Sequence, residues 1–305
     1  MKTSNLWFTG TGHFAALCLD FLIHNGLSFS RIITGSPTRS GRNNKENPSA
    51  VELKASSLGL AVTRTGKLSE NHELISALDS ENPDVIFVID FGQIIREPFL
   101  SRMCLNIHPS LLPEYRGAAP IQRAILDGKT KTGVTVFRLA KEMDAGEILA
   151  QSETELSPSE NASNVYPRLA KIGADLAFSA LAKDEWSFTP QNGQYATYAP
   201  KIAKGDCELA FKFSAERFVN TVRALDMSGG AFVMAGNKRL KIWRASLRND
   251  LTPSEAGTVM SVEGNPVLSC SDSCVELQEV QSEGKKRMSG REWSAGLRLK
   301  AGDVL

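Results

Sequence analysis

No segment of the chain approaches the roughly 20 consecutive apolar residues that a helix needs to cross a bilayer. The N-terminal stretch has no uninterrupted apolar centre of the kind a secretory leader carries, because His13, Asp20 and His24 break it. Cysteine is sparse and odd in number: Cys18, Cys104, Cys207, Cys270 and Cys274 are scattered, mostly in apolar segments. That pattern speaks for free thiols in a reducing compartment and against a disulfide frame. Cys270 and Cys274 have no neighbouring Cys or His cluster, which argues against zinc. Strong charge is also missing. The formal net charge is +1, so any nucleic-acid partner must be met by local patches. Internal repeats and long low-complexity segments are absent too. The expectation is a cytoplasmic globular protein without a metal or membrane partner, and 305 residues leave room for two domains.

Residues 6–9 form a short apolar strand leading into Gly10-Thr11-Gly12, after which Phe14, Leu17, Cys18, Phe21 and Leu22 recur at helical spacing. Strand, glycine turn and helix open an α/β fold. The spelling Gly10-x-Gly12-x-x-Ala15 is close to a dinucleotide fingerprint, which needs an acid at the end of the second strand. Here residues 31–34 run into Gly35 and Arg39 with no acid. An arginine can accept a 2′-phosphate, which keeps an NADP-dependent oxidoreductase open; a tight strand-to-helix turn explains the glycines equally. Residues 35–49 are rich in Gly, Ser, Pro and Asn and read as a loop bearing Arg39, Arg42 and Lys45.

Further along, residues 51–60 and 71–80 read as helices, and residues 85–90 are a continuous apolar run, as in a central parallel strand. A helix over 118–126, strands over 133–139 and 147–155, and a helix over 162–181 follow. This alternation predicts an α/β, doubly wound, mostly parallel, Rossmann-like sheet. Periodicity disappears over 184–206, where Pro, Gly, Asn and Tyr collect, and this is the expected linker between domains at 1–183 and 207–305. Beyond it come a helix over 215–225 and short alternating stretches at 231–235, 240–245, 258–262, 266–269 and 275–280. Such spacing predicts a smaller C-terminal β-barrel. Residues 206–305 hold 14 Lys+Arg against 13 Asp+Glu, so only patches such as Lys285-Lys286-Arg287 could track phosphates.

The chain is organised around Leu105-Asn106-Ile107-His108-Pro109-Ser110-Leu111-Leu112-Pro113. Residues 103–107 read as the end of a buried strand, stopped by the two prolines. Asn106 and His108 then share a face, roughly 6–7 Å apart along the chain. An amide and an imidazole side by side can stabilise an oxyanion and manage a proton near neutral pH. The bland alternative is that both side chains cap a strand and satisfy loop carbonyls.

Asn-x-His-Pro-Ser-Leu-Leu-Pro resembles the signature of the 10-formyltetrahydrofolate-dependent formyltransferases. Tyr115-Arg116-Gly117-Ala118-Ala119-Pro120-Ile121-Gln122 resembles the branch of that family acting on methionyl-tRNA, and Met143-Asp144-Ala145-Gly146-Glu147-Ile148-Leu149 matches the family further on. The resemblance implies a formyltransferase catalytic domain followed by an OB-like tRNA-binding domain. It implies 10-formyltetrahydrofolate as donor and initiator methionyl-tRNA as acceptor, in a monomer. Asn106, His108 and Asp144 match the catalytic set. Phe91, Gly92, Ser110, Leu111, Leu112 and Pro113 fall at the folate-binding positions. Arg39, Arg42, Lys201, Lys285, Lys286 and Arg287 fall at tRNA-binding ones. Two positions depart from the family: Asp90 stands where alanine is more usual, and Glu114 where a basic residue is. Formyl transfer to a small amine, such as glycinamide ribonucleotide or an amino sugar, is the nearest alternative; a non-catalytic RNA- or folate-binding protein is a further one.

Overall fold

The computed structural model describes residues 4–40 and 45–305. The chain divides into two compact units. One comprises Met1–Pro120, Lys131–Glu155 and Tyr166–Ala199; the other comprises Ile121–Thr130, Leu156–Val165 and Pro200–Leu305.

The elements run β1 (Leu6–Gly10), α1 (His13–His24), β2 (Arg31–Gly35), β3 (Thr38–Ser40), β4 (Lys45–Asn47), α2 (Ala50–Ser57), β5 (Thr63–Thr65), α3 (His72–Glu81), β6 (Val85–Ile89) and β7 (Cys104–His108). Then come α4 (Pro120–Leu126), β8 (Lys131–Arg138), β9 (Ile148–Glu155) and α5 (Ala162–Leu181). Seven strands form one sheet in the order β5-β2-β1-β6-β7-β8-β9. The first five are parallel, and β8 and β9 are antiparallel. The order leaves β1 in one direction toward β2 and β5, then in the other toward β6 and β7. That reversal is the mark of a doubly wound sheet, and it puts the switch point between β1 and β6.

Every residue of β1 and β6 is buried, which is why both strands read as continuous apolar runs rather than alternating ones. Alternation sends Trp7, Ile86 and Val88 to one face, where they pack with Leu74, Ala77 and Leu78 of α3. Phe8 and Phe87 take the opposite face and meet Phe29 edge-on, at 5.5 and 6.1 Å between ring centroids. Each such buried side chain contributes about 1.5–3 kcal/mol through its removal from water. The helices start on side chains suited to the task. Ser49 accepts the Glu52 N–H ahead of α2 and Asn71 accepts the Leu74 N–H ahead of α3.

Residues 35–49, expected to be loop, contain the short hairpin β3–β4, in which Arg39 is paired with Glu46. The Arg39 side chain, and all of Arg42, lie outside the described residues.

The second unit contains α6 (Ala215–Ala224), β10 (Ala231–Ala235), β11 (Lys238–Arg248), β12 (Val259–Ser261), β13 (Val267–Ser269), β14 (Cys274–Ser282), β15 (Met288–Ser289) and α7 (Gly290–Leu297). Its strands form a six-stranded antiparallel sheet in the order β10-β11-β14-β13-β12, with β15 on β14. The β11–β14 ladder slips between Ile242 and Arg244, so Trp243 is a bulge residue. Leu240, Ile242, Val275, Leu277 and Val280 are buried beside Phe218 and Val222 of the amphipathic α6. Helix α7 opens on a capping box between Ser289 and Glu292. Among the described residues no helix is long and apolar enough to cross a membrane.

Candidate active site

Strand β7 carries Asn106 and His108, whose register partners on β8 are Phe137 and Thr135. The two side chains share a face, as strand geometry requires. His108 is 5% exposed, and its ring sits edge-on to Phe137. Its Nε2 lies 2.9 Å from the Tyr115 carbonyl. A carbonyl can only accept, so Nε2 is the nitrogen that holds the hydrogen in neutral His108. Nδ1 is thereby left with its lone pair, and it faces Asp144 Oδ2 at 3.8 Å. That separation is too long for a hydrogen bond. Among the described residues no hydrogen-bond partner engages the Asn106 amide, and the residue is half-buried. One side chain of the pair is committed and the other is free to meet a ligand.

Asp144 sits in the turn between β8 and β9 with φ of 51°, a left-handed conformation unusual for a non-glycine residue. Its Oδ2 accepts the Gly117 N–H at 2.8 Å. Gly117 has φ of 121°, and a Cβ there would lie 2.8 Å from the Ala199 carbonyl, so only glycine fits.

The loop after β7 is latched from both sides. Buried Thr135 donates its hydroxyl to the Ser110 carbonyl at 2.7 Å and accepts the Leu112 N–H at 3.0 Å. Gln151 donates to the Leu112 carbonyl at 2.7 Å. A strap over residues 189–199 then closes on the same loop. Thr197 accepts the Tyr115 N–H on its hydroxyl and the Arg116 N–H on its carbonyl, and the Ala199 carbonyl accepts the Ala119 N–H. Gln191 joins Arg116 to the Asp144 turn. Sequence reading passed over Thr135, Gln151, Gln191 and Thr197. The one available signal was the polar character of Thr135 and Gln151 on flanking strands.

The switch point has its own occupant. Asp90, at φ of 44°, accepts the Thr11 and Gly12 N–H groups on its carbonyl at 3.1 and 3.0 Å. Its carboxylate takes the N–H groups of Phe14 and Ala15 at the start of α1, and a Cβ at Gly12 would overlap it. Removal of the carboxyl group from water pushes Asp90 up to about 6, against the lowering pull of those two N–H groups. Residue 90 as a whole is nevertheless exposed. This arrangement decides against the dinucleotide reading. The N–H groups that would cradle a phosphate are used by a carboxylate, and like charge repels like.

The other expected folate residues are turned in different directions. Phe91 packs in the core with Trp7 and Phe99, and Ser110 and Leu112 are buried. Gly92 is exposed, while Leu111 is partly exposed. Among the described residues no group of three or more His, Cys, Asp or Glu is placed to hold a metal ion.

The family profile described as formyl transferase matches residues 4–181, and that of the formyl transferase C-terminal domain matches residues 201–298. The chain belongs to the formyl transferase family. Among relatives of this formyl transferase, the methionyl-tRNA formyltransferase of Jannaschia sp. (strain CCS1) is 35% identical over 302 residues, covering 98% of each chain. That of Lactobacillus acidophilus is 34% identical over 289 residues, 92% of each. The fold is also that of methionyl-tRNA formyltransferase from Clostridium thermocellum, with a TM-score of 0.57 at 21% identity over 81% of this chain and 95% of that one. HypX from Aquifex aeolicus in complex with tetrahydrofolic acid has the same fold, with a TM-score of 0.63 at 16% identity over 98% of this chain and 48% of that one.

Four of the basic residues expected to meet RNA lie in the second unit of this formyl transferase. Lys201, Lys285, Lys286 and Arg287 are all exposed. Arg287 stacks on Trp243 with its guanidinium carbon 3.4 Å from the ring centroid, and Glu279 stands 3.9 Å away.

Proposed function

We propose that this chain transfers the formyl group of 10-formyltetrahydrofolate to the amino group of methionyl-initiator tRNA. The observation that carries the chemistry is the pairing of an uncommitted Asn106 amide with a His108 whose Nδ1 faces Asp144. Likeness over nearly the full length to methionyl-tRNA formyltransferases supports the choice of acceptor. The donor set suits an N-formyl group, whose carbonyl oxygen needs a neutral hydrogen-bond donor as charge develops on it. The folate supplies the formyl carbon and an amine leaving group.

In this reading the Asn106 Nδ2–H donates to the developing oxyanion. Nδ1 of His108 takes the proton that the attacking amine must lose, and returns it to N10 of the folate as the formyl C–N10 bond breaks and tetrahydrofolate leaves. The Asp144 carboxylate stabilises the imidazolium so formed, while the Tyr115 carbonyl keeps Nε2–H oriented. In this reading exposed Gly92, beside Phe91, and the loop of Ser110, Leu111, Leu112 and Pro113 bind the folate, Leu111 and Pro113 being the partly exposed members of the loop. Lys201, Lys285, Lys286, Arg287, Arg39 and Arg42 supply phosphate contacts, Arg being suited to bidentate pairing. The enzyme acts as a cytoplasmic monomer, where charged initiator tRNA is found.

The test is formyl transfer with charged initiator Met-tRNA, elongator Met-tRNA, glycinamide ribonucleotide and an amino sugar nucleotide as parallel acceptors. Formylmethionine on initiator tRNA, lost in Asn106→Ala and His108→Ala, is the expected result. Turnover confined to a small amine would overturn the acceptor, and no folate-dependent turnover would overturn the activity.

A further inference from the structure

We propose that Gln191 is a positioning residue for the reaction, holding Asp144 in its left-handed turn by means of a fully engaged amide. The inference rests on the catalytic reading of Asp144 above. The Gln191 Oε1 accepts from Arg116 twice, from Nε at 3.1 Å and Nη2 at 2.6 Å. Its Nε2 donates to the Asp144 carbonyl at 2.8 Å and the Gly146 carbonyl at 2.7 Å. Both amide hydrogens and both lone pairs are therefore used, which fixes the amide's orientation. Turned over, its oxygen would face two carbonyl oxygens and its NH2 a guanidinium.

Arg116 is 7% exposed and lies next to Gly117, whose N–H holds the Asp144 carboxylate. The link thus closes a ring: Arg116 to Gln191, Gln191 to the Asp144 carbonyl, and the Asp144 carboxylate back to Gly117. A left-handed aspartate is strained and persists only where its surroundings hold it. The two donated hydrogen bonds at residues 144 and 146 are that restraint. No hydrophobic pattern calls for a glutamine here, and a side chain with only donors or only acceptors cannot replace it.

Two variants separate the roles. Gln191→Ala removes both connections. Gln191→Glu keeps an acceptor for Arg116 but presents negative oxygen to two carbonyls. Both are expected to lower kcat about 10- to 100-fold, since displacing a reacting group by about 1 Å has that effect. KM for both substrates should change by less than about threefold, because ground-state binding is untouched. Exchange of the Gly117 amide hydrogen should accelerate about tenfold or more as its acceptor loosens. Thermal denaturation gives the folded fraction by which kcat is corrected, and the isosteric Glu variant carries the test if the Ala variant does not fold. Wild-type kcat in Gln191→Glu would overturn the proposal, as would a loss explained by unfolded protein alone. If the wild-type chain shows no formyl transfer, the catalytic reading fails. Gly117 exchange then still decides whether Gln191 restrains the turn.

Discussion

His108 directs Nε2 at the Tyr115 carbonyl and so presents Nδ1 to the Asp144 carboxylate, 3.8 Å away. The two groups face each other without a direct hydrogen bond. Asp144→Asn keeps an acceptor for the Gly117 N–H and removes the charge. We expect kcat to fall about 100-fold or more, the scale of general acid–base assistance, with little change in unfolding midpoint. Steady-state kinetics beside urea unfolding decides it; unchanged kcat would remove Asp144 from the reaction.

Asn106 has a different signature, because no hydrogen bond in the described structure depends on its amide. Asn106→Ala should cost about 10²–10³-fold in kcat, as for loss of an oxyanion donor. Stability should move by no more than about 0.5 kcal/mol, the range for a side chain without structural partners. A matching loss of stability would recast Asn106 as a structural residue.

Gly117→Ala should fail on both counts. The φ of 121° is hostile to any side chain, and the new Cβ would press on the Ala199 carbonyl. We expect a loss of about 1–3 kcal/mol from backbone strain alone, and more from the contact, by urea unfolding. Activity should fall beyond the folded fraction, since the Gly117 N–H holds Asp144.

The Asp90 carboxyl is held up at about 6, above its ordinary value near 3.9. Between these values the folded chain binds the proton that the unfolded chain has released. The stabilisation from this group is complete below about 4 and is lost as pH rises through about 6. Asp90→Asn removes that dependence. The unfolding free energy of wild type minus variant should therefore decline from pH 4 to pH 7 and then level off. A flat difference would mean the carboxyl titrates normally.

Much of this site was legible because its groups are spelled close together. Asn106 and His108 share a strand face by parity alone, and Asp144 stands in a recognisable turn sequence. The apolar runs of β1 and β6 announced a parallel sheet. Gln191 and Thr197 were not legible, because their partners lie 75 and 82 residues away and are met through hydrogen bonds that leave no periodic trace. Phe91 shows a different limit. Asp90 and Gly92 on either side of it have φ of 44° and 72°, so strand alternation no longer tells which way the ring points. It points into the core. The hairpin in 35–49 was missed because its two strands are three residues each, with turn-forming composition throughout.

The Asp90 carboxylate at the head of α1 bears on which small molecules could inhibit this enzyme. Compounds that imitate a nucleotide diphosphate succeed on many open α/β sheets by handing a negative group to the first glycine turn. This chain already carries its own anion there, covalently tethered and present at an effective concentration no free ligand can match. A nucleotide-mimicking library would be poorly spent on that turn. Chemistry aimed at the Asn106 amide and His108 Nδ1, both outside the reach of Asp90's hydrogen bonds, is the better starting point.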